Sequence, residues 1–440
     1  MTFEELGLRS EVLKSLTELG FEAPTPIQEK AIPYLMQEDC DFVGLAQTGT
    51  GKTAAFGLPL INNIDTKARL PQGLIICPTR ELCLQITKDL NVFAKYLDCS
   101  ITAVYGGTDI RKQITDIKKG TSIIVATPGR LVDLMNRKVI QLSQVRYVVL
   151  DEADEMLNMG FKEDIDAVLE TTPIDKNVWL FSATMPTEVA RIAKTYMNDP
   201  LEVSIGHKNQ SNENIDHIYY MVKERDRYEA VKRLIDFNPS IYGLIFCRTK
   251  NETATVAEKL GREGYNAEPL HGDLTQAMRD RVMERFRSKE LQILVATDVA
   301  ARGLDINNIT HVINYNLPDD IENYTHRSGR TARAGKKGES LVLINGREIG
   351  KIKAIERQMR TTFTVGEIPN AEEICEIQLM KLINKTIETE VKEDDIAKFM
   401  PQILEAFESL SKEDIIKRFV STEFKSDELG DLLKLLINEK

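Results

Sequence analysis

The segment Ala46-Gln-Thr-Gly-Thr-Gly-Lys-Thr53 sets Gly49, Gly51, Lys52 and Thr53 between an apolar run and a helix-forming stretch. A strand, a glycine loop and a helix in that order make a cradle for phosphate. The loop's N–H groups turn inward and meet the positive end of the helix. Gln47, Thr48, Gly49, Thr50 and Gly51 would supply that backbone, although Ala46 stands where a glycine is usual. Lys52 would reach the β- and γ-phosphates of a nucleoside triphosphate, and Thr53 would ligate Mg²⁺. Such a loop needs a carboxylate at a neighbouring strand tip. Tyr147-Val-Val-Leu150 runs directly into Asp151-Glu152-Ala153-Asp154. Asp151 would orient Mg²⁺ through water, and Glu152 would polarise an attacking water as general base. Carboxylates also cap helices. Taken alone the acidic run supports either reading, and the phosphate loop upstream favours catalysis.

Short β-branched runs alternate with amphipathic segments over the first 365 residues. One series is Phe42–Ala46, Gly73–Cys77, Ile101–Tyr105, Ser122–Ala126, Arg146–Leu150 and Val178–Ser182. A second is Ile218–Val222, Tyr242–Phe246, Ala267–Leu270, Gln292–Ala296, His311–Asn314 and Ser340–Ile344. Strands separated by helix-length segments make βαβ units, so each series predicts an α/β domain with a parallel sheet covered on both faces. The polar stretch 206–214 reads as a linker. After about Gly366 the strand signals stop, and helical spacing of Leu, Ile, Glu and Lys marks a separate helical module.

The net charge of −11 is unevenly spread. Residues 366–440 carry 18 acidic and 10 basic side chains, so the body is nearly balanced and can hold a local basic groove. The six cysteines are scattered without CxxC spacing, which argues for reduced, buried thiols in a reducing, cytoplasmic setting. No stretch is apolar for long enough to span a bilayer, and no membrane association is expected.

Asp151–Asp154 spells DEAD, and the surrounding segments resemble the DEAD-box RNA helicases of superfamily 2, of the bacterial cold-shock type. The resemblance covers about Phe3 to Gly366. It rests on Gly20–Gln28, the phosphate loop, Pro78-Thr-Arg-Glu-Leu82, Gly106-Gly107, Thr127-Pro-Gly-Arg130, DEAD and Ser182-Ala-Thr184. It continues in Ile245–Thr249, His271–Arg279, Ala296–Asp305 and His326–Arg333. This implies two tandem RecA-like parallel-sheet domains followed by a small all-helical C-terminal module. Their expected bounds are 1–205, a linker at 206–214, 215–365 and 366–440. The implied activity is RNA-stimulated ATP hydrolysis coupled to cleft closure and to local, non-processive unwinding or remodelling. ATP and Mg²⁺ are the implied cofactors, and single-stranded and duplex RNA the partners.

By the same resemblance, the amide of Gln28 reads adenine. Phe3, seventeen residues before Gly20, stacks on the base, unless it simply packs beneath the first helix. Pro78, Thr79, Arg80, Gly106, Gly107, Thr127, Gly129 and Arg130 follow strands, where small residues, hydroxyls and cations suit a sugar–phosphate backbone. The second domain lacks a phosphate loop and can only complete the first domain's site. Arg330 and Arg333, three apart, would share a helix face and act as arginine fingers, with Asp305 accepting from the ribose. His326 would couple to Ser182, Ala183 and Thr184. Thr249, Gly272, Gln276, Arg279 and Thr297 would hold RNA.

The segment from about Ile368 resembles the helical dimerisation module of such helicases. Its stripe of Ile377, Leu379, Met380, Leu382 and Ile383 must bury against the second domain or across a homodimer, and the dimer is favoured. Relatives commonly extend into a basic RNA-binding tail. Lys440 follows an acidic stretch instead, so the chain is either shortened or relies on its core or a partner for RNA choice. Ribosome assembly and RNA degradation are the usual settings implied. A DNA-acting helicase and a long-lived RNA clamp are the competing readings.

Overall fold

A computed structural model of the chain describes residues 1–423 except 38, 39, 48, 67, 69, 206–213, 303–305, 307, 333–335 and 392–395. Thr48, Asp305, Arg333 and nearly all of the expected linker therefore lie outside the described residues.

The first sheet holds β1 (Phe42–Leu45), β2 (Gly73–Ile76), β3 (Ile101–Val104), β4 (Ile123–Ala126), β5 (Tyr147–Asp151), β6 (Asn177–Ser182) and β7 (Leu201–Ser204). The second holds β8 (Ile215–Met221), β9 (Gly243–Phe246), β10 (Ala267–Leu270), β11 (Ile293–Ala296), β12 (His311–Asn314), β13 (Gly338–Ile344) and β14 (Thr364–Gly366). Every pairing is parallel. The orders are β3-β4-β2-β5-β6-β1-β7 and β10-β11-β9-β12-β13-β8-β14. Adding seven to each label of the first order gives the second, so every position in one sheet has an equivalent in the other.

Each sheet is covered on both faces. In β5, Tyr147 and Val149 join one apolar cluster while Val148 and Leu150 join the opposite one. Two-sided burial is why these strands read as unbroken apolar runs. Each such side chain contributes roughly 1.5–3 kcal/mol of burial.

Six apolar runs per domain mark strands in the sequence, and among the described residues each sheet has seven. The additional strands, β7 and β14, are edge strands with largely exposed side chains, so they carry no apolar run. β14 ends at Gly366 and straddles the expected boundary at 365. The helical module is also less separate than expected. Asn370 and Glu373 form a capping box that starts the helix Ala371–Glu388. Ala371 and Ile374 are fully buried against Phe237, and Arg233 donates to the Pro369 carbonyl at 3.3 Å. Further along, Met380 and Ile387 are 49% and 76% exposed, and the helices Met400–Phe407 and Lys412–Glu423 leave Leu404, Phe407, Ile416 and Phe419 open. Among the described residues no helix is long and apolar enough to cross a membrane.

Candidate active site and nucleic-acid interface

The phosphate loop sits between β1 and the helix Lys52–Asn63. Gly49 and Gly51 hold φ of +80° and +91°, a left-handed backbone that glycine adopts without strain. A Cβ on Gly51 would stand 2.4 Å from Nε2 of Gln28, so the site admits only hydrogen there. Thr50 Oγ1 donates to the Gln47 carbonyl at 2.7 Å, and Thr25 Oγ1 donates to the Thr50 carbonyl at 2.9 Å. Lys52 is buried, and its ammonium has no hydrogen-bond partner. A buried ammonium at a helix N-terminus with no hydrogen-bond partner fits a phosphate ligand, since leaving its donors unsatisfied is otherwise costly.

Asp151 closes β5 and accepts from the Glu152 N–H at 3.0 Å. Burial pushes its carboxyl up to about 7, against the Lys52 ammonium, which favours the charged form. Glu152 holds φ of +52°, rare for a residue with a side chain, and its buried Oε2 has no hydrogen-bond partner. Thr53 lies in the first turn of the loop's helix. A hydroxyl and a strand-tip carboxylate suit Mg²⁺, which takes few protein ligands and keeps waters and phosphate oxygens.

Both adenine-side candidates make contacts within the protein. Gln28 is buried, with Oε1 accepting from the Thr25 N–H at 2.9 Å and Nε2 donating to the Gly51 carbonyl at 3.1 Å. Only its second N–H and second lone pair are left for a base. Phe3 is 3% exposed in the core and meets Phe21 edge-on at 5.9 Å, so it offers no ring face to a nucleotide. Its packing role, the alternative weighed from sequence, is the one this structure displays.

The second domain closes over this site. Thr184 donates to Asp154 Oδ2 through its N–H at 2.9 Å and its hydroxyl at 2.7 Å, and the Asp154 N–H donates to Ser182 Oγ at 3.3 Å. Ala183 lies between these two residues, and the Ala46 N–H donates to the Ser182 carbonyl at 3.0 Å. From across the cleft, His326 Nε2 comes within 3.5 Å of Asp154 Oδ2. His326 Nδ1 pairs with Glu155, and so does Arg302. Burial alone would lower the imidazole's pKa, but the Asp154 and Glu155 carboxylates overcome it and push it up to about 10. Burial would likewise raise Asp154. The His326 and Thr184 contacts hold it well below the usual carboxylate range instead.

Arg330 is buried near this contact, but it does not lie on a helix face. The helix Ile321–Ser328 ends before it, capped at Gly329, and Arg330 stands in the following turn with its N–H donating to Arg327 at 3.0 Å. Arg327 itself is committed to structure, bonding Asp298, Asn314 and the Asn316 carbonyl.

The remaining candidates gather at the other half of each sheet. Pro78, Thr79 and Arg80 follow β2, and Thr249 follows its equivalent β9. Gly106 and Gly107 follow β3, and Gly272 follows β10. Thr127, Gly129 and Arg130 follow β4, and Thr297 follows β11. Thr79, Thr249 and Thr297 cap their helices by accepting from N–H groups at 3.2, 3.2 and 3.4 Å, which leaves each hydroxyl free to donate. Two ion pairs bridge this side. Arg80 meets Asp280 at 3.0 Å, and Arg279 meets Glu81 at 3.4 Å. Nε and Nη1 of Arg80 and Nε of Arg279 remain buried without partners. Gln276 lies where a Cβ on Gly107 would stand 3.6 Å from its Oε1.

Sequence reasoning gave no role to Glu155, Arg302, Glu81 or Asp280. Their acidic or basic neighbours in the motifs were the available signal, but pairing across about 150 to 200 residues is invisible without the fold.

Two sheets of one order, closed on each other over a phosphate loop, define a two-domain nucleoside-triphosphate motor. The DEAD/DEAH box helicase family matches residues 25–192, the helicase conserved C-terminal domain 226–335, and the helical domain of a probable ATP-dependent RNA helicase 374–426. The chain is 45% identical over 396 residues to the DEAD-box ATP-dependent RNA helicase CshA of Bacillus thuringiensis, covering 90% of this chain and 75% of that one. The structure matches S. cerevisiae Dbp5 bound to RNA and ADP BeF3 with a TM-score of 0.79 at 31% identity, over 86% of this chain and 98% of that one. It matches Mss116p bound to ssRNA and AMP-PNP with a TM-score of 0.77 at 31% identity, over 93% and 86%. The chain belongs to the DEAD-box ATP-dependent RNA helicases.

Proposed function

We propose that this helicase hydrolyses ATP at the β1–β5–β6 half of its first sheet and grips RNA at the β3–β4–β2 half, with the second domain completing both sites. What supports this reading is the buried Lys52 ammonium, which has no hydrogen-bond partner, in a cleft that His326 and Arg302 close from the second domain. Lys52 binds the β- and γ-phosphates, Thr53 and Asp151 hold Mg²⁺, and Glu152 takes a proton from the attacking water. Mg²⁺ held there would neutralise phosphate charge. Arg330 brings positive charge to that phosphate. The β2, β3 and β4 loops and their second-domain equivalents hold sugar and phosphate, not base edges, so sequence preference is weak. Closure bends the gripped strand, and a few base pairs melt at roughly 1–2 kcal/mol per step. Unwinding is then local and non-processive. The proposed units are 1–205 and 215–365, with the helices after 366 as a third, and six free cysteines, four of them buried, fit a cytoplasmic setting.

Steady-state ATP hydrolysis at fixed, low salt tests this with no nucleic acid, with single-stranded RNA and with DNA of the same sequence. Strong stimulation by RNA alone is expected. Equal stimulation by DNA would overturn the RNA assignment.

The His326 contact sets a pH dependence. Its pKa is raised from 6.5 to about 10 in the closed cleft, so the pairing has full strength below about 6.5 and is lost as pH rises through 10. RNA affinity in the presence of a non-hydrolysable triphosphate should therefore fall between about pH 7 and pH 9, by at most about tenfold per pH unit. His326→Gln should flatten that profile. Identical profiles for the two proteins would contradict the assignment.

The exposed apolar faces of the C-terminal helices support a homodimer. Sedimentation at micromolar concentration should give about twice the 49.8 kDa chain mass, and a monomer would remove the dimer.

A further inference from the structure

β3 ends the first sheet, so one side of its backbone has no strand partner. A groove of ≈570 Å³ runs along it, walled by the helix Ile110–Lys118 and opening at Tyr105 and Thr108 beside the Gly106-Gly107 turn. That helix is fixed to the turn by Gln113, which is 7% exposed and belongs to none of the motifs. Gln113 Nε2 donates to the Tyr105 carbonyl at 3.0 Å and to Thr108 Oγ1 at 3.1 Å, and its Oε1 accepts from Arg130 Nη1 at 3.3 Å. Arg130 also donates to the Thr108 carbonyl at 3.4 Å. One buried amide thus sets the geometry of two loops assigned to RNA.

The outer face of the helix is basic. Arg111, Lys112, Lys118 and Lys119 are exposed. Lys112, Asp116 and the C-cap Lys119 share the groove-facing side, over seven residue steps of about 1.5 Å, or about 10.5 Å. Lys119 is held by Asp116 at 2.9 Å, whereas Arg111 and Lys112 make no ion pair among the described residues. Asp109 is used as the helix cap, accepting from the Arg111 N–H at 2.9 Å.

We propose that this groove is a second RNA subsite, which takes the strand as it leaves the two-domain cleft past the Gly106-Gly107 turn. It rests on the RNA assignment above and extends it. Lys112 in the groove lining and Arg111, exposed beside it on the same helix, contact phosphates, and the free edge of β3 offers N–H and C=O groups to ribose hydroxyls. The basic face suits a polyanion and adjoins the RNA-facing loops, which favours RNA over an added peptide strand.

The test compares an RNA of roughly six nucleotides, confined to the cleft, with one of roughly sixteen. Each is bound to the full chain with a non-hydrolysable triphosphate across a salt series. In the Arg111→Ala, Lys112→Ala double variant the long RNA should weaken about tenfold, and its salt slope should fall by about 1.4. Binding of the short RNA should not change. Asp116→Asn, which frees Lys119 and removes an anion, should tighten the long RNA only. Equal weakening of both lengths, or no change in either, would overturn the subsite. Failure of the unaltered protein to bind even the short RNA would instead overturn the RNA assignment on which it rests.

Discussion

Arg330→Ala is expected to lower kcat for RNA-stimulated ATP hydrolysis by about 10³-fold, while ATP affinity changes little. The guanidinium comes from the domain without a phosphate loop, so it meets the γ-phosphate only when the cleft is closed. Its turn follows the helix that carries His326, and His326 reaches Asp154 and Glu155 of the first domain. Arg327, its neighbour one turn earlier, has its donors filled by Asp298, Asn314 and Asn316, so it cannot stand in. A charge placed only in the closed state stabilises the transition state more than the ground state. If ATP affinity and kcat fell together, Arg330 would be a ground-state ligand and this role would be wrong.

Glu152→Gln is expected to cost 10²- to 10⁴-fold in kcat, with ATP and RNA binding retained. The change keeps the side chain's shape but removes its basicity. Glu152 Oε2 is buried with no hydrogen-bond partner, and the residue is held in a left-handed backbone that points it off the strand tip. Closure depends on other groups, namely His326, Arg302, Arg80 and Arg279. The variant should therefore accumulate as a long-lived complex with RNA and unhydrolysed ATP. Rapid RNA release from the variant would show that Glu152 serves closure as well as proton transfer.

The phosphate loop, the acidic strand tip and the strand-end loops were legible in the sequence because each is a local pattern. A glycine at positive φ, a strand tip or a helix cap needs only its neighbours to be recognised. The sheets were legible for the same reason, as two-sided burial writes unbroken apolar runs into β5 and its neighbours. β7 and β14 were not, since an edge strand with exposed side chains leaves no such run. The cleft contacts were not legible either. Glu155 with Arg302 and Glu81 with Arg279 are charges far apart in the chain, and solvated surface charges look the same in sequence. Gln113 escaped because a buried amide that joins two loops has no sequence period. Arg330 was misplaced on a helix face because Gly329 ends the helix one residue before it. The seventeen-residue spacing of Phe3 from Gly20, even with the family resemblance, does not distinguish a ring that stacks on a ligand from one that fills a core.

One cleft couples ATP and RNA, and this coupling can be measured. It is tested most directly by a thermodynamic cycle, measuring the affinity of a non-hydrolysable ATP analogue with and without saturating RNA, and of RNA with and without the analogue. Each ligand should tighten the other by the same factor, within roughly 5- to 150-fold. Affinities that do not change in either direction would contradict it, because the two domains would then close without regard to what they hold.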